Sequence, residues 1–327
     1  MYERSVLVTG CDSGLGLALC GLLPRNGHFV IATCRTEEGR LLAFKALNNQ
    51  PHSADIHPAV DSAGWLLCDG GACHLLDVTS LTAVEEFRED VVRRIANKTF
   101  PNLHSLVNNA GIWRFSLLRD TFASAASRQA EIERWKDVLD TNLLGALRMT
   151  AAFAGSLAEA ADGSKPRVVF ISSVLDRHAL PGQGAYVASK FALTGLYETL
   201  CHELSCTNIV PIIIRPGALR NTKLFHQDLD LDESVQPCTP QTESDILKAS
   251  YRILLNVAGD CNGVAQTVLQ ALQDKHPKFE YSNVVGSLPF KLAEYVPRGL
   301  FVTVVRTVLR NLARLYFGVV ALFRGWR

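Results

Sequence analysis

The sequence has almost no net charge: 33 Lys and Arg against 32 Asp and Glu leave +1 over 327 residues. Nothing global favours a polyanionic partner, and a nucleic-acid role is not expected. A disulfide framework is absent too. Nine cysteines make an odd set, scattered through apolar and polar contexts, which fits reduced thiols in an intracellular protein. Cys68 and Cys73 in "CDGGAC" are the one close pair. With only His74 beside them they fall short of a zinc ligand set, so no metal is expected. "MYER" runs straight into a strand-like stretch, which leaves no room for a secretory leader or a preceding membrane span. No internal repeat and no clear linker divides residues 5–285.

What the chain does have is apolar material, 48% of its residues, ample for one large core. Strands are predicted at "SVLVT" (5–9), "HFVIATC" (28–34), "HLLDV" (74–78), "HSLVN" (104–108), "RVVFIS" (167–172) and "IVPIIIR" (209–215). Helical spacing covers 14–23, 81–96, 130–160 and 185–205. Near-continuous apolar strands alternating with helices predict an α/β fold, a doubly wound parallel sheet of Rossmann type. Residues 1–285 are expected to form this single domain, with 286–327 as a C-terminal amphipathic extension. Two stretches look inserted. Residues 47–72 read as a long loop between the second and third strands. Residues 219–245, polar and acidic, read as part of a substrate lid spanning about 218–260.

"LVTGCDSGLG" (7–16) passes from a strand through Gly10, Gly14 and Gly16 into a helix. Glycines there admit a tight turn and let backbone N–H groups approach a pyrophosphate at the helix N-terminus. Asp12, Ser13 and Leu15 belong to the same loop. After the second strand, where an acidic residue would hold the ribose 2′-hydroxyl of NAD, "TCRTEE" offers Arg35 and Thr36. A guanidinium suits a 2′-phosphate, so Arg35 tilts an otherwise open choice between NAD and NADP towards NADP.

"GAYVASK" (184–190) places Tyr186 and Lys190 one helical turn apart. Alone, the pair is as compatible with a solvated helix face as with a proton shuttle. Ser173 lies thirteen residues earlier, "NNAG" (108–111) follows the fourth strand, "TNLLG" (141–145) lies in the next helix, and "RPG" (215–217) ends the sixth strand. This ordered set resembles the short-chain dehydrogenase/reductase family over residues 5–285. The resemblance implies an NAD(P)-dependent oxidoreductase with Tyr186 as general acid/base. Lys190 would lower the phenol's pKa, Ser173 would hold the substrate oxygen beside Tyr186, and Asn142 would complete a proton relay. It also implies that Asp77 and Val78 flank the adenine, that Asn109, Ala110 and Gly111 line the cofactor, and that Pro216, Gly217 and Thr222 lie along the nicotinamide. Ser172 is the wrong serine by spacing and reads as structural. His178 and His202 have no partner pattern.

"TGCDSGLG" and "SSVL" (172–175) are similar to the branch holding retinol dehydrogenases, 17β- and 11β-hydroxysteroid dehydrogenases and 3-hydroxybutyrate dehydrogenase. Asp176 stands where that branch usually carries glycine. The branch implies a lipophilic alcohol substrate. A hydroxy-acid substrate is the alternative and would need a cation in the pocket, for which Lys223 and Arg220 are candidates. A catalytically silent dinucleotide-binding scaffold is the rival from another class. The family implies a homo-oligomer. Residues 295–327 carry six arginines and no Asp or Glu. Within 299–323 Arg306, Arg310 and Arg314 share one side of an otherwise mostly aliphatic helix. That pattern suits a membrane surface better than a span, and so an intracellular, membrane-associated protein of the endoplasmic reticulum or mitochondrion.

Overall fold

The computed structural model describes residues 2, 4–50, 58–159, 165–220, 222–225, 243–256, 258–282, 296, 299–305, 307, 308 and 311. Aliphatic runs without polar alternation bury both faces of a strand, and the backbone follows that rule. The strands are β1 (Arg4–Val8), β2 (Phe29–Cys34), β3 (Leu66–Cys68), β4 (Gly71–Leu75), β5 (Asn102–Asn108), β6 (Arg167–Ile171), β7 (Val210–Arg215) and β8 (Glu280–Ser282). They form one sheet in the order β3-β4-β2-β1-β5-β6-β7-β8. Pairing is parallel except for the antiparallel β3–β4 edge.

The helices are α1 (Gly14–Leu22), α2 (Glu37–Leu47), α3 (Leu81–Ala96), α4 (Ala125–Leu139), α5 (Ala146–Ala158), α6 (Gly184–Glu203), α7 (Glu243–Asn256) and α8 (Cys261–Gln273). Alternate strand residues feed opposite layers. Val6 and Val8 of β1 pack with Leu15 and Leu19 of α1 and Val264 and Val268 of α8. Leu7 packs on the other face with Val84 of α3, Phe153 of α5 and Leu193 of α6. Winding reverses direction between β1 and β5, so their carboxyl ends open into a crevice where doubly wound sheets bind ligands.

Three expectations need correction. Residues 47–72 are not simply a loop: Leu47 closes α2, and 66–68 and 71–75 are strands. Trp65 anchors the stretch. It is fully buried, stacks on Phe87 at 5.5 Å, and donates its Nε1–H to Asp90 at 2.6 Å. The strand expected at 74–78 runs instead over 71–75, because Asp77 breaks the ladder by accepting from Thr79 N at 2.9 Å. The helix expected at 130–160 begins at Ala125, where Ser124 caps it, and changes to a π-helical turn over Asp140–Gly145. The edge strand β8 carries no apolar run to announce it.

The lid reading falls partly outside the described residues, at 221, 226–242 and 257, as does most of the tail reading. Residues 299–305 are helical, with Leu300, Val302 and Val304 exposed and the Phe301 ring 4.9 Å from that of His178. No helix among the described residues is long and apolar enough to cross a membrane.

Candidate active site

The crevice is a cleft of about 760 Å³, within the usual range for a small-molecule site. Its floor is the turn from β1 to α1. Gly10 has φ +70°, and a Cβ there would lie 2.8 Å from Ala110 Cα. Gly14 has φ +56°, and its Cβ would meet Thr222 Oγ1 at 2.9 Å. Only glycine fits either place, and the result is a bare backbone cradle opening on the α1 N-terminus. Thr9 holds the opposite wall: its Oγ1 accepts from Asn109 N and Ala110 N, both at 3.0 Å. The side chain of Asn109 returns hydrogen bonds to Thr9 O and Gly10 O at 2.8 and 2.9 Å. The Asp12 carboxylate turns towards the end of β2, where it accepts from Arg35 N, Thr36 N and Thr36 Oγ1 at 2.9–3.0 Å. These features fit a dinucleotide.

Of the expected cofactor contacts, Gly10, Asp12, Ser13 and Leu15 line the cleft on the loop side. Arg35, Asp77, Val78, Asn109, Ala110, Gly111, Pro216, Gly217 and Thr222 line it as well. Gly14 and Gly16 shape the turn without lining the cleft. Asn142 does not line it either. Its buried amide accepts from Ile112 N at 2.8 Å and donates to Ile112 O and Ser189 Oγ at 2.9 and 3.0 Å. Ser189 Oγ in turn donates to Tyr186 O at 2.6 Å, so Asn142 ties the segment after β5 to the turn of α6 that carries Tyr186.

Ser173, Tyr186 and Lys190 meet at the junction between the cradle and an apolar end lined by Trp113, Leu175, Leu180, Tyr251 and Leu255. The Ser173 hydroxyl lies beside the Tyr186 phenol and favours its ionised form. Lys190 Nζ donates to Ile171 O at 2.8 Å and sits 5.5 Å from the Tyr186 ring centre. Burial pushes the phenol up to about 12, eased by Ser173 and reinforced by the Asp176 carboxylate. Burial also brings the Lys190 ammonium down to about 8, against the pull of Asp176. The expectation that Lys190 lowers the phenol's pKa is therefore not met by the protein's own groups. Desolvation outweighs a lysine that is itself weakened and bonded to a carbonyl.

Several site residues escaped the sequence reading. Trp113 is anchored by Nε1–H to Gln183 Oε1 at 2.9 Å, and Tyr251 by its hydroxyl to Pro181 O at 2.5 Å. No local pattern marks them, because three separate elements bring them to one wall. Arg114 also lines the cleft. Lys223 is paired with Glu38 at 3.2 Å, and Arg220 is not among the lining residues. Ser172 donates to Asp176 Oδ2 at 2.8 Å, a structural bond. The eight described cysteines are free thiols.

The profile of the short chain dehydrogenase family matches residues 72–231. The chain is 30% identical over 294 residues to retinol dehydrogenase 16 of Mus musculus, covering 86% of this chain and 81% of that protein. It is 26% identical over 293 residues to 17-beta-hydroxysteroid dehydrogenase type 6 of Rattus norvegicus, with the same 86% and 81% coverage. A short chain dehydrogenase/reductase from Burkholderia phymatum, solved in complex with NAD, shares the fold with a TM-score of 0.64 at 19% identity, over 90% of this chain and 95% of that one. Sequence, sheet order and cleft agree: this chain belongs to the short chain dehydrogenase family, oxidoreductases that act on CH–OH groups with a nicotinamide dinucleotide.

Proposed function

We propose that this protein interconverts a lipophilic secondary or allylic alcohol, of retinoid or steroid type, and its carbonyl, with Tyr186 as general acid/base. One observation carries the reading: Ser173, Tyr186 and Lys190 together line the cleft where the backbone cradle meets an apolar pocket. A bound nicotinamide dinucleotide supplies the hydride chemistry. The chain's own groups do the rest. Ser173 donates to the substrate oxygen where charge develops, and Tyr186 gives or takes the proton at that oxygen. Its high pKa leaves the phenol neutral, the form that protonates a carbonyl. The apolar wall of Trp113, Leu175 and Leu255 excludes water and takes the lipophilic body.

The test is turnover of all-trans-retinol, 17β-estradiol and their carbonyl partners with NAD and NADP side by side. Tyr186→Phe should abolish turnover while NADPH binding, followed by fluorescence, persists. Activity surviving that change refutes the role of Tyr186. NADPH binding by wild type without turnover of any of these compounds favours the silent scaffold.

Finer features follow from the same cleft. Arg35 lines it beyond β2, which supports NADP; Arg35→Ala should raise the KM for NADP and spare that for NAD. The exposed Leu300, Val302 and Val304, with the arginines nearby, support docking of 299–323 on an anionic membrane. Removal of 299–327 should abolish flotation with phosphatidylserine vesicles. Exposed Ile132, Leu147 and Phe191 on α4, α5 and α6 support a homo-oligomer, to be weighed by light scattering. A second reading, a hydroxy-acid substrate, is favoured by Arg114, a cleft cation whose guanidinium bonds only Trp113 O at 3.0 Å among the described residues. Arg114→Met would then raise the KM for 3-hydroxybutyrate at least tenfold and leave retinol turnover unchanged.

A further inference from the structure

Asp176 is the one residue of the "SSVL" region that departs from the branch the sequence resembles. Its side chain is 0% exposed. Its Oδ2 accepts from Ser172 Oγ at the end of β6, from Thr194 Oγ1 on α6 and from Arg215 Nε at the end of β7, at 2.8, 2.8 and 2.6 Å. Its Oδ1, equally buried, has no hydrogen-bond partner among the described residues. Three elements of the site thus converge on one carboxylate that water does not reach.

The charges around it alternate in sign from surface to interior. Arg177 pairs with Glu280 of β8 at 3.1 Å. Glu280 pairs with Arg215 at 2.6 Å, and Arg215 pairs with Asp176. Thr194 lies one helical turn beyond Lys190, which closes the series as the innermost cation. The Tyr186 phenol, on α6, also feels the Asp176 carboxylate. Glu280 already serves two arginines at the outer end of the series. Without Asp176, the buried Arg215 would lose its inner carboxylate partner and Lys190 the negative charge that favours its ammonium.

We propose that Asp176 is a positioning residue of this active site, the buried negative charge that keeps Lys190 protonated at neutral pH and sets the spacing of β6, α6 and β7 around it. The inference rests on the reading of Tyr186 and Lys190 as the reacting pair. In a medium of low dielectric a carboxylate acts on a neighbouring ammonium with little screening. The direction of the Asp176 influence agrees, for it raises the Lys190 ammonium against the downward pull of burial. A purely structural Asp176 would act through its hydrogen bonds, which an isosteric amide largely retains. Its charge, which the amide lacks, is what the proposal requires.

The test is a lysine-selective ¹³C NMR titration of the full chain, with the Lys190 signal identified by its loss in Lys190→Met. In wild type the midpoint is expected near 8. In Asp176→Asn it should fall by about one pH unit, the low end of the effect of one nearby opposite charge. The single variant Asp176→Ser also removes the negative charge while keeping Arg215, and carries the same test should the amide variant fail to fold. An unmoved Lys190 midpoint in either folded variant overturns the proposal. The pH profile of all-trans-retinol oxidation forms a second arm. A shifted NMR midpoint without turnover in wild type would refute the retinoid reading and leave the role of Asp176 standing.

Discussion

The buried Lys190 charge costs stability, and Lys190→Met measures that cost. Its folded-state value near 8 against an ordinary 10.5 corresponds to about 3 kcal/mol of native-state destabilisation at pH 7. The sign follows from proton counts. Between pH 8 and 10.5 the unfolded chain holds the lysine proton and the native state has released it. Stability therefore rises with pH through that window, and the cost is fully present below it. Methionine has no such dependence. Its bond loss, Nζ to Ile171 O at 2.8 Å, offsets the gain by about 1.5–3 kcal/mol. The net change at pH 7 is thus small, but its pH dependence is not. The stability of the variant minus that of wild type should shrink by about 2 kcal/mol from pH 7 to pH 9.5. Urea unfolding followed by tryptophan fluorescence at both pH values reads this directly. A difference that stays constant, or widens with pH, would show that Lys190 is not buried as an ammonium and would refute the reasoning.

Gly10→Ala places a Cβ 2.8 Å from Ala110 Cα at a φ of +70°, and should weaken NADH binding about tenfold, the equivalent of 1–2 kcal/mol of backbone strain; fluorescence titration checks it, and an unchanged Kd contradicts the cradle. Asn142→Ala strips the partners from Ile112 N and O, and should cost about 2–3 kcal/mol in urea unfolding, with a loss below 0.5 kcal/mol counting against its tie to α6. Trp65→Ala should cost about 3–5 kcal/mol, measured the same way, because the residue stacks on Phe87 and lies under Arg94, whose guanidinium carbon is 5.0 Å from its ring centre; a surface loop at 58–65 would lose almost nothing.

Much of this was legible in one dimension. The strands at 5–9, 104–108 and 209–215 announce themselves because burial on both faces demands continuous apolar residues. The glycine turn, Ser173, Tyr186 and Lys190 are readable because backbone approach and helical periodicity impose fixed short spacings. Trp65 was not, since its partners Phe87 and Asp90 lie far along the chain. Asn142 does not line the cleft, and the bonds its amide makes with Ile112 and Ser189 depend on how α6 meets the segment after β5.

By itself, then, the sequence determined the family, the alternation of strand and helix, and three residues that meet in the cleft, Ser173, Tyr186 and Lys190, all of which follow from local spacing. Only the tertiary structure decided their electrostatics. Desolvation is a property of the whole packed cleft, so the Tyr186 phenol is pushed up rather than down, and Asp176, an odd residue in a string of letters, becomes the buried charge beside Lys190.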